Sequence, residues 1–332
     1  VLFGIYWNAF ILFWKIPTYT KKQNNCFNIM SCFSNLGEYF VTYVQPWVAS
    51  SILRVLVRAY LEISQRLFLS GNVVEEQVRI LQKCEREEIA IRTKDANEQH
   101  YEVPTDFFKL HLGKRLKYSA SEWTSSTQDL EEAETNTLSR YQKENKMDDL
   151  KPGAIVLEMG CGWGSLSLKN ARDYPNIQFM SFSNSRTQIQ YIQEQCKIEN
   201  ITNLKVVVED YNTFCTEDSV FQGKQFNRIF AIETLEHGRN IKKLFEWMSL
   251  RLCPDGQCFV QSLVHHHKAY LLDDSSWMGR NFFTGGQMFA MQTYLHLNEH
   301  LRVKKLVPIS GKGYGESCKH WLERLEQNKI KI

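Results

Sequence analysis

The feature that most restricts the possible folds is an alternation of short apolar runs with helical stretches, which begins at Lys151. Six runs have the length and the content of β-branched and aromatic residues that are typical of buried strands. They are AIVLEMG, IQFMSFS, LKVVVED, FNRIFAI, QCFVQSLV and LRVKKLVPI. Strands that alternate with helices favour a mainly parallel sheet covered by helices on both faces. The sequence therefore predicts an α/β domain over residues 151–332.

The part of the chain before Lys151 predicts helices instead of a sheet. Helical stretches begin near Pro46, Val73 and Asp129, and we interpret residues 46–150 as a helical cap region. One face of the first of these helices is basic and another is apolar. Such a helix suits either a solvated surface over a core or an anionic membrane surface.

Residues 1–45 read as an apolar segment followed by a loop. The chain opens with VLFGIYWNAFILFW, which carries no charge and is shorter than the roughly 20 apolar residues that span a bilayer. Two interpretations stay open: a helix packed against protein, and the visible end of a membrane segment. Residues 1–16 are thus candidates for contact with a membrane or a membrane protein. Because no initiator methionine is present, we expect a longer precursor, and loss of a leader would suit an intracellular, mitochondrial and membrane-associated location.

Composition narrows the classes of partner and ligand. A net charge of +3 over 332 residues is too small to predict a nucleic-acid partner. The nine cysteines include no CxxC pair, which argues against a structural zinc site and against a secreted disulfide framework. Three adjacent histidines at 265–267 cannot all face one ion from a strand or a helix. We interpret them as a loop and predict no metal site.

A glycine-rich turn, LEMGCGWGS, follows the first predicted strand. Gly160, Gly162 and Gly164 allow the backbone to turn tightly and to approach a ligand without a Cβ in the way. Their G-x-G-x-G spacing differs from the G-x-G-x-x-G that receives a pyrophosphate. Glu158 stands two positions before the first glycine, where a carboxylate disfavours phosphate and suits a cationic amino-acid group. These features predict S-adenosylmethionine as the cofactor, and a turn kept only for packing is the alternative.

Further cofactor contacts are expected at the ends of the next two strands. Ligands of parallel sheets bind beyond the carboxyl ends of the strands, so these ends should reach the ribose and the adenine. The candidate residues there are Ser183, Asn184, Gln188, Asp210 and Tyr211.

Two carboxylates and a histidine follow the fourth predicted strand. If Glu233, Glu236 and His237 begin a helix, their spacing places them on one face. Two carboxylates beside an imidazole can bind an amine and accept its proton, and a histidine with a carboxylate neighbour titrates near neutral pH. These three residues are therefore the candidate catalytic group. The alternative is a charged helix end without a catalytic role.

Several motifs occur together in an order that is typical of one protein family. They are HYEVPTDFFKLHLGKRLKYS, VLEMGCGWGSLSL, SNSRTQ, IETLEH and FFTGGQM. In these motifs the chain resembles the eukaryotic branch of the cyclopropane-fatty-acid synthase and coclaurine N-methyltransferase family, over roughly residues 50 to 328. The resemblance implies a Rossmann-like class I methyltransferase that uses S-adenosylmethionine, with an N-terminal helical extension that covers the active site.

The resemblance also implies roles for individual residues. In the N-methyltransferases of the family, the residues that match Glu233, Glu236 and His237 handle the substrate amine, and the histidine assists its deprotonation. Tyr118 and Ser119 fall in the segment that closes over the cofactor.

Departures from the family pattern argue against cyclopropanation. In the cyclopropane synthases, a cysteine, a glutamate, a histidine and a tyrosine hold a bicarbonate that serves as the base. Glu236 and Tyr314 match the glutamate and the tyrosine, which makes Tyr314 a candidate substrate-binding residue. Ala120 and Gln261, however, stand at the cysteine and histidine positions, and Glu122 stands where an aromatic residue is usual.

Two functions remain at this stage. The first is methyl transfer to a small amine, or to a lipid as a less favoured acceptor. The second is a methyltransferase-like structural subunit of a membrane-associated complex that has lost catalysis. The second interpretation depends on the apolar N-terminus, the altered YSASEW segment, the missing histidine and a chain that stops before the closing strand expected for the family.

Overall fold

A computed structural model describes residues 72–92, 104–272 and 283–328, together with the single residues 52, 55, 58, 59 and 279. The apolar segment 1–45 and most of the helix predicted after Pro46 lie outside the described residues. The expectations about a membrane or a partner at residues 1–16 therefore stay predictions, and so does the domain boundary near residue 150.

The centre of the fold is a five-stranded parallel sheet. The strands are β1 Ile155–Met159, β2 Gln178–Ser183, β3 Leu204–Val208, β4 Phe226–Ile232 and β5 Leu252–Gln261. They lie in the order β3-β2-β1-β4-β5, and every neighbouring pair is parallel. The chain places β2 and β3 on one side of β1, and it then crosses over to place β4 and β5 on the other side. This reversal of direction between β1 and β4 is where α/β sheets of this type bind ligands. The predicted α/β fold with a mainly parallel sheet is confirmed.

Helices connect and cover the strands. They are α1 Val73–Cys84, α2 Thr105–His111, α3 Leu130–Glu144, α4 Ser165–Asp173, α5 Arg186–Ile198, α6 Ile241–Arg251, α7 Thr293–His296 and α8 Gly311–Gln327. Short 3-10 turns occur at Met147–Asp149 and Leu235–His237. A second, three-stranded sheet consists of β6 Val264–His265, β7 Tyr270–Leu271 and β8 Gln287–Ala290, in the order β6-β8-β7.

Local chemistry explains where α3 begins and ends. The Asp129 side chain accepts a hydrogen bond from the backbone N of Glu132 at 2.8 Å, which satisfies one free N–H of the first turn. At the other end, Lys146 adopts a left-handed conformation with φ of +51° and directs the chain out of the helix. A helix predicted to run from Asp129 to Leu150 thus ends six residues early, at Glu144.

The sheet has one apolar cluster on each face. Because side chains alternate along a strand, Leu157 and Met159 of β1 face one cluster, while Val156 faces the other. The second cluster includes Leu138 and Tyr141 of α3. Helix α3 therefore packs on the same core as the strands.

A third apolar cluster joins helices from before and after the sheet. Phe108 of α2 and Trp321 of α8 share it with Trp163, which lies in the glycine-rich turn. Trp163 and Trp321 are each 1% exposed. The aromatic residues around the turn therefore fix its position from outside the sheet.

The sixth predicted strand, LRVKKLVPI, is wrong. Residues 302–310 have no regular secondary structure and belong to no strand of either sheet. Val303, Leu306, Val307 and Ile309 are between 40% and 48% exposed. The apolar side chains of this run suit a strand, but a strand also needs a neighbour, and no described segment pairs with it. Local propensity alone does not decide pairing.

None of the helices in the described part of the chain is both long enough and apolar enough to cross a membrane.

One buried asparagine links α4 to the sheet, and its removal should weaken the fold. The Asn203 side-chain nitrogen donates to the carbonyls of Ala171, Tyr174 and Ile177 at 3.2, 3.1 and 3.0 Å. We expect Asn203→Ala to lower the free energy of unfolding by about 2 kcal/mol, because buried acceptors lose their donor. Urea unfolding would measure the change. Thr202→Ala, at the exposed neighbouring position, is the control and should change stability little; equal effects would refute the explanation.

Candidate active site

A cleft lies at the carboxyl edge of the sheet, where β1, β2, β3 and β4 end. Its walls also include residues 90–91, 116–119 and part of α3, so the region before the sheet covers the strand ends. The cleft contains about 1080 Å³ of space, counting its open mouth. Parallel strands bring their ends to one edge, and this is why segments far apart in sequence meet here.

Most of the predicted site residues line this cleft. They are Tyr118, Ser119, Glu158, Gly160, Gly162, Ser183, Asn184, Gln188, Asp210, Tyr211, Glu233 and His237. These residues were predicted to meet because the carboxyl ends of parallel strands lie at one edge of the sheet. The functional role of each residue is still a prediction.

Three predicted residues do not line the cleft. Gly164 precedes α4, and a Cβ there would lie 2.7 Å from Cγ1 of Ile192, so this glycine serves packing. Glu236 is buried under the loop after β4. Tyr314 of α8 packs in the third apolar cluster near Trp321.

The first two glycines of the turn have different reasons to be glycine. Both have left-handed backbones, with φ of +65° for Gly160 and +53° for Gly162. A Cβ on Gly160 would lie 2.1 Å from Oγ1 of Thr234, which is a severe collision. A Cβ on Gly162 would meet no atom within 4 Å. Packing therefore explains Gly160, whereas Gly162 borders open cleft space where a ligand can approach the backbone.

Glu158 places a carboxyl group at the base of the cleft. It is 5% exposed, and Ser167 donates a short hydrogen bond from its hydroxyl to Oε2. Burial raises the pKa of Glu158 to about 7, because the low-dielectric surroundings disfavour the charged form. A cationic ligand would offset this cost, so the site suits positive charge.

The loops after β2 and β3 are held by their own side chains. The Ser183 hydroxyl donates to Oε1 of Gln188 at 2.7 Å, which fixes the amide at the start of α5. Oδ1 of Asp210 accepts from the backbone N of Asn212 at 2.7 Å. The Tyr211 hydroxyl and the Thr234 hydroxyl lie 2.7 Å apart, so the loops after β3 and β4 are joined. The Thr234 side chain thus contacts both the glycine turn and Tyr211.

Glu233 is held firmly at the end of β4. Its φ of +48° is rare for a residue with a side chain and costs about 1–2 kcal/mol. Oε1 accepts from the backbone N of Ala120 at 3.0 Å and from Nε2 of Gln261 at 2.8 Å. Burial raises the pKa of Glu233, while the nearby Lys117 ammonium opposes that shift.

The expected common helix face for Glu233, Glu236 and His237 is wrong. Glu233 has a left-handed backbone, and only a single 3-10 turn at 235–237 follows it. Glu236 therefore turns away from the cleft, where Oε1 accepts from the backbone N of Leu263 at 2.5 Å. Burial, with the charge of Glu233 nearby, raises the pKa of Glu236 to about 8.

His237 lines the cleft without the carboxylate neighbour that the sequence predicts. Its ring stacks on Phe283 at 5.1 Å between centroids, and no described carboxylate forms an ion pair with it. Desolvation lowers the pKa of His237 to about 4, so the imidazole is neutral near neutral pH.

Sequence reasoning missed Lys117, which is the buried cation of the cleft wall. It is 1% exposed, and Nζ donates to the Ser119 hydroxyl at 2.8 Å and to the Ala120 carbonyl at 2.6 Å. Burial lowers the pKa of Lys117 to about 8, and Glu233 and Glu134 oppose that shift. A lysine within LKYSAS carries no local sign of burial, so no pattern could have identified it.

The carboxyl groups of the cleft outnumber its cations. Four line it, at Glu158, Glu209, Asp210 and Glu233, against the single ammonium of Lys117. This balance favours a cationic ligand over a pyrophosphate.

The histidines at 265–267 serve the turn after β6. The ring of His265 accepts from the backbone N of His267 at 3.2 Å and of Lys268 at 3.0 Å. His265 itself ends β6, so only the other two belong to a loop. No group of three or more potential ligands suited to a metal ion occurs among the residues that the structure describes.

Comparisons with known proteins give a consistent result. The family model described as mycolic acid cyclopropane synthetase matches residues 89–332. The chain is 32% identical to (S)-coclaurine N-methyltransferase from Papaver somniferum over 241 residues, which are 70% of this chain and 65% of that protein. It is 26% identical to cyclopropane-fatty-acyl-phospholipid synthase from Escherichia coli strain K12, over 68% of this chain and 55% of that protein. The chain therefore spans just under two thirds of the Papaver enzyme.

Solved structures have the same fold. A coclaurine N-methyltransferase bound to N-methylheliamine and S-adenosylhomocysteine (SAH) matches with a TM-score of 0.78 and 25% identity, over 91% of this chain and 85% of that one. The cyclopropane synthase MmaA2 from Mycobacterium tuberculosis matches with a TM-score of 0.58 and 19% identity, over 74% and 87%.

Alanine at Gly160 and at Gly162 should separate the two roles in the turn. We expect Gly162→Ala to lower the free energy of unfolding by only about 1–2 kcal/mol, the cost of a left-handed backbone. Gly160→Ala adds the collision with Thr234 and should cost about 3 kcal/mol or more. Chemical denaturation of both variants would measure this difference. Equal losses would contradict the assignment of Gly162 to open cleft space.

Glu158 should make ligand-free stability fall as pH rises. The carboxyl group has a pKa of about 4.3 in the unfolded chain and about 7 in the folded protein. Between these two pH values, the carboxyl group of Glu158 is protonated in the folded protein and ionised in the unfolded chain. The contribution of this proton to the free energy of unfolding is complete below the unfolded pKa and is lost by pH 8. Glu158→Gln removes this loss, so the variant should be more stable than wild type at pH 8 by about 1–3 kcal/mol and similar at pH 4.5. Denaturation at both pH values tests this, with exposed Glu217→Gln as the control.

Proposed function

Because the chain belongs to the mycolic acid cyclopropane synthetase family, we propose that it is an S-adenosylmethionine-dependent methyltransferase whose acceptor is the nitrogen of a small amine. The observation that carries the proposal is one cleft that combines the glycine turn with Glu233 and His237. The turn is suited to the donor and the other two residues to the acceptor, so both can meet there.

The residues of the cleft fit a sulfonium cofactor. S-Adenosylmethionine supplies a methyl group on a cationic sulfur and also carries an ammonium group. Gly162 leaves the backbone open to the ligand, and the carboxyl group of Glu158 can stabilise a positive charge. Ser183, Gln188 and the loop that begins at Asp210 offer polar groups for a ribose and a base. Tyr118 and Ser119 would cover the cofactor from the other wall.

The nature of the acceptor is inferred from the relatives and from the departures at the site. The relatives from Papaver somniferum and Thalictrum flavum are (S)-coclaurine N-methyltransferases, and the solved coclaurine N-methyltransferase structure holds an N-methylated amine. Ala120 and Gln261 replace a cysteine and a histidine of the bicarbonate site that the synthase resemblance implies. The bicarbonate that serves as the base in cyclopropanation would thus lack part of its binding site. This favours an amine over a lipid alkene as the methyl acceptor.

The chain's own residues would prepare the amine for attack. An amine attacks only in its neutral form, so an ammonium substrate has to lose a proton before methyl transfer. His237 lines the cleft and is neutral, so it is the proposed acceptor of the amine proton; with a pKa of about 4 it is a weak base and would pass the proton on to solvent rather than retain it. Glu233 would stabilise positive charge on the substrate, since its carboxylate is fixed in place. Glu236 does not reach the cleft, and we assign it to holding the loop at Leu263.

Calorimetric titration with SAH tests cofactor binding. We expect micromolar binding by the wild-type protein, and at least a tenfold loss in Gly162→Val because a branched side chain would enter the cleft. Gly153→Val is the matched control: this glycine also has a positive φ, of +84°, and open space around it, but it lies in the turn before β1. The control should bind normally.

Methyl transfer to a panel of secondary and tertiary amines then tests the reaction. His237→Ala should reduce turnover by about 100-fold or more while SAH binding persists. A folded wild-type protein that binds no SAH would overturn the proposal and favour a structural subunit. Binding without transfer to any amine would overturn the assigned acceptor.

A further inference from the structure

Three departures from the family pattern lie together around Glu233. Ala120 and Glu122 come from the segment before α3, and Gln261 comes from the end of β5. Ala120 and Gln261 contact Glu233 directly, and Glu122 is connected to it through Arg140 and Gln261. The two side-chain departures, Glu122 and Gln261, thus belong to one chain of contacts.

A chain of contacts runs from Glu122, which is partly exposed, to the carboxylate of Glu233. Oε2 of Glu122 forms an ion pair with Nε of Arg140 at 2.7 Å. Nη2 of Arg140 donates to Oε1 of Gln261 at 3.3 Å. Nε2 of Gln261 donates to Oε1 of Glu233 at 2.8 Å. From the opposite side, the backbone N of Ala120 lies 3.0 and 3.2 Å from the two carboxylate oxygens.

The order of donors and acceptors fixes the orientation of Gln261. A guanidinium only donates hydrogen bonds and a carboxylate only accepts them. The Gln261 oxygen must therefore face Arg140, and its NH₂ group must face Glu233. Opposite charges on the two sides favour this orientation over the flipped one.

The backbone supports the same arrangement. The Glu233 N–H donates to the Gln261 carbonyl at 2.7 Å, so the two residues are joined by main chain as well as side chain. The left-handed conformation of Glu233 persists only where surrounding contacts outweigh its cost. The contacts from Ala120 and Gln261 supply that support.

We propose that Gln261, Arg140 and Glu122 form a positioning relay that holds Glu233 in one place as a fixed anion, rather than as a base that exchanges protons. Both oxygens of Glu233 accept hydrogen bonds from the protein, which stabilises the charged form, and the proposed function assigns proton transfer to His237. Ala120 takes part through its backbone N–H. The inference that the fixed anion acts on a cationic ligand rests on the proposed function, whereas the relay itself does not.

Glutamine suits this relay better than the histidine expected from the family. A neutral histidine could also accept from Arg140 and donate to Glu233, but a protonated one would lose its acceptor and place a second cation beside the guanidinium. Gln261 has no titrating group, so this member of the relay keeps both of its hydrogen-bonding roles as the pH falls. The charge of Glu233 then depends on its other neighbours, which are Lys117, Tyr141, Glu236 and Tyr314.

The first experiment measures the titration of Glu233 directly. Carbon-13 NMR of protein labelled at the glutamate carboxyl groups would follow it, and the signal lost in Glu233→Gln would assign it. Gln261→Leu removes a hydrogen bond to the charged form and should raise the pKa of Glu233 by about one unit or more. Gln257→Leu is the matched control, because Gln257 is half-buried on the same strand and bonds to Glu144 and Asn145 instead.

A second variant distinguishes positioning from a general structural effect. Gln261→His should bring the pKa of Glu233 back to the wild-type value or below it, because an imidazole can donate a hydrogen bond to the carboxylate and its protonated form adds an opposite charge. A purely structural role of Gln261 would leave the pKa of Glu233 raised in Gln261→His as in Gln261→Leu. Circular dichroism and thermal unfolding of each variant would check that the fold is retained.

Ligand affinity gives a readout of the fixed charge. S-Adenosylmethionine is a sulfonium cation and SAH is the neutral thioether, so the ratio of their affinities reports the negative charge in the cleft. Gln261→Leu should weaken the binding of S-adenosylmethionine relative to SAH by up to about tenfold at a pH near the raised pKa of Glu233. Gln257→Leu should leave the relative affinities unchanged.

The outcomes separate the relay from the proposed function. An unchanged pKa of Glu233 in Gln261→Leu, or an equal change in Gln257→Leu, would overturn the relay even if both ligands bind. A raised pKa of Glu233 in Gln261→Leu that Gln261→His reverses would support the relay, even if the wild-type protein binds neither ligand and the proposed function fails. If the pKa of Glu233 shifts but the ratio of the affinities for S-adenosylmethionine and SAH stays the same, the inference that Glu233 acts on the bound cation is wrong.

Discussion

The pairing of β1 between β2 and β4 is the constraint on which the site depends. Leu157 of β1 lies opposite Met180 of β2 and Ile229 of β4, so all three strands end at the same edge. The glycine turn, the Ser183 loop and Glu233 each follow one of these ends. Any shift in this register would separate the groups that line the cleft. The apolar clusters on both faces of the sheet maintain the register and thereby maintain the site.

Desolvation then gives the residues of the cleft their chemical properties. Burial raises the pKa of Glu158 to about 7 and lowers the pKa of His237 to about 4. It also lowers the pKa of Lys117 to about 8. The same dry environment strengthens each hydrogen bond and ion pair, including those of the relay to Glu233. A group that is charged in water is therefore kept charged here only where the protein supplies a partner, and the neutral imidazole has none among the described residues.

Much of the fold could be predicted because it depends on local patterns. The five strands of the sheet were recognisable from short apolar runs, and the glycine turn from its spacing. The prediction failed for LRVKKLVPI, since strand propensity does not provide a neighbour to pair with. It also failed for the common face of Glu233, Glu236 and His237, because the left-handed backbone of Glu233 is set by contacts from Ala120 and Gln261. These partners lie 113 and 28 residues away in sequence.

The sequence by itself determined the parallel α/β architecture, the family and the position of a cleft at the strand ends. Periodicity, glycine spacing and ordered motifs encode these features locally. Only the tertiary structure decided that Gly160 serves packing while Gly162 borders open space, that Glu236 turns away from the cleft, and that Lys117 is buried beside Glu233. It also brought Glu122, Arg140 and Gln261 into one chain of contacts. Burial, backbone conformation and the identity of a distant partner arise only when the folded chain brings separate segments together.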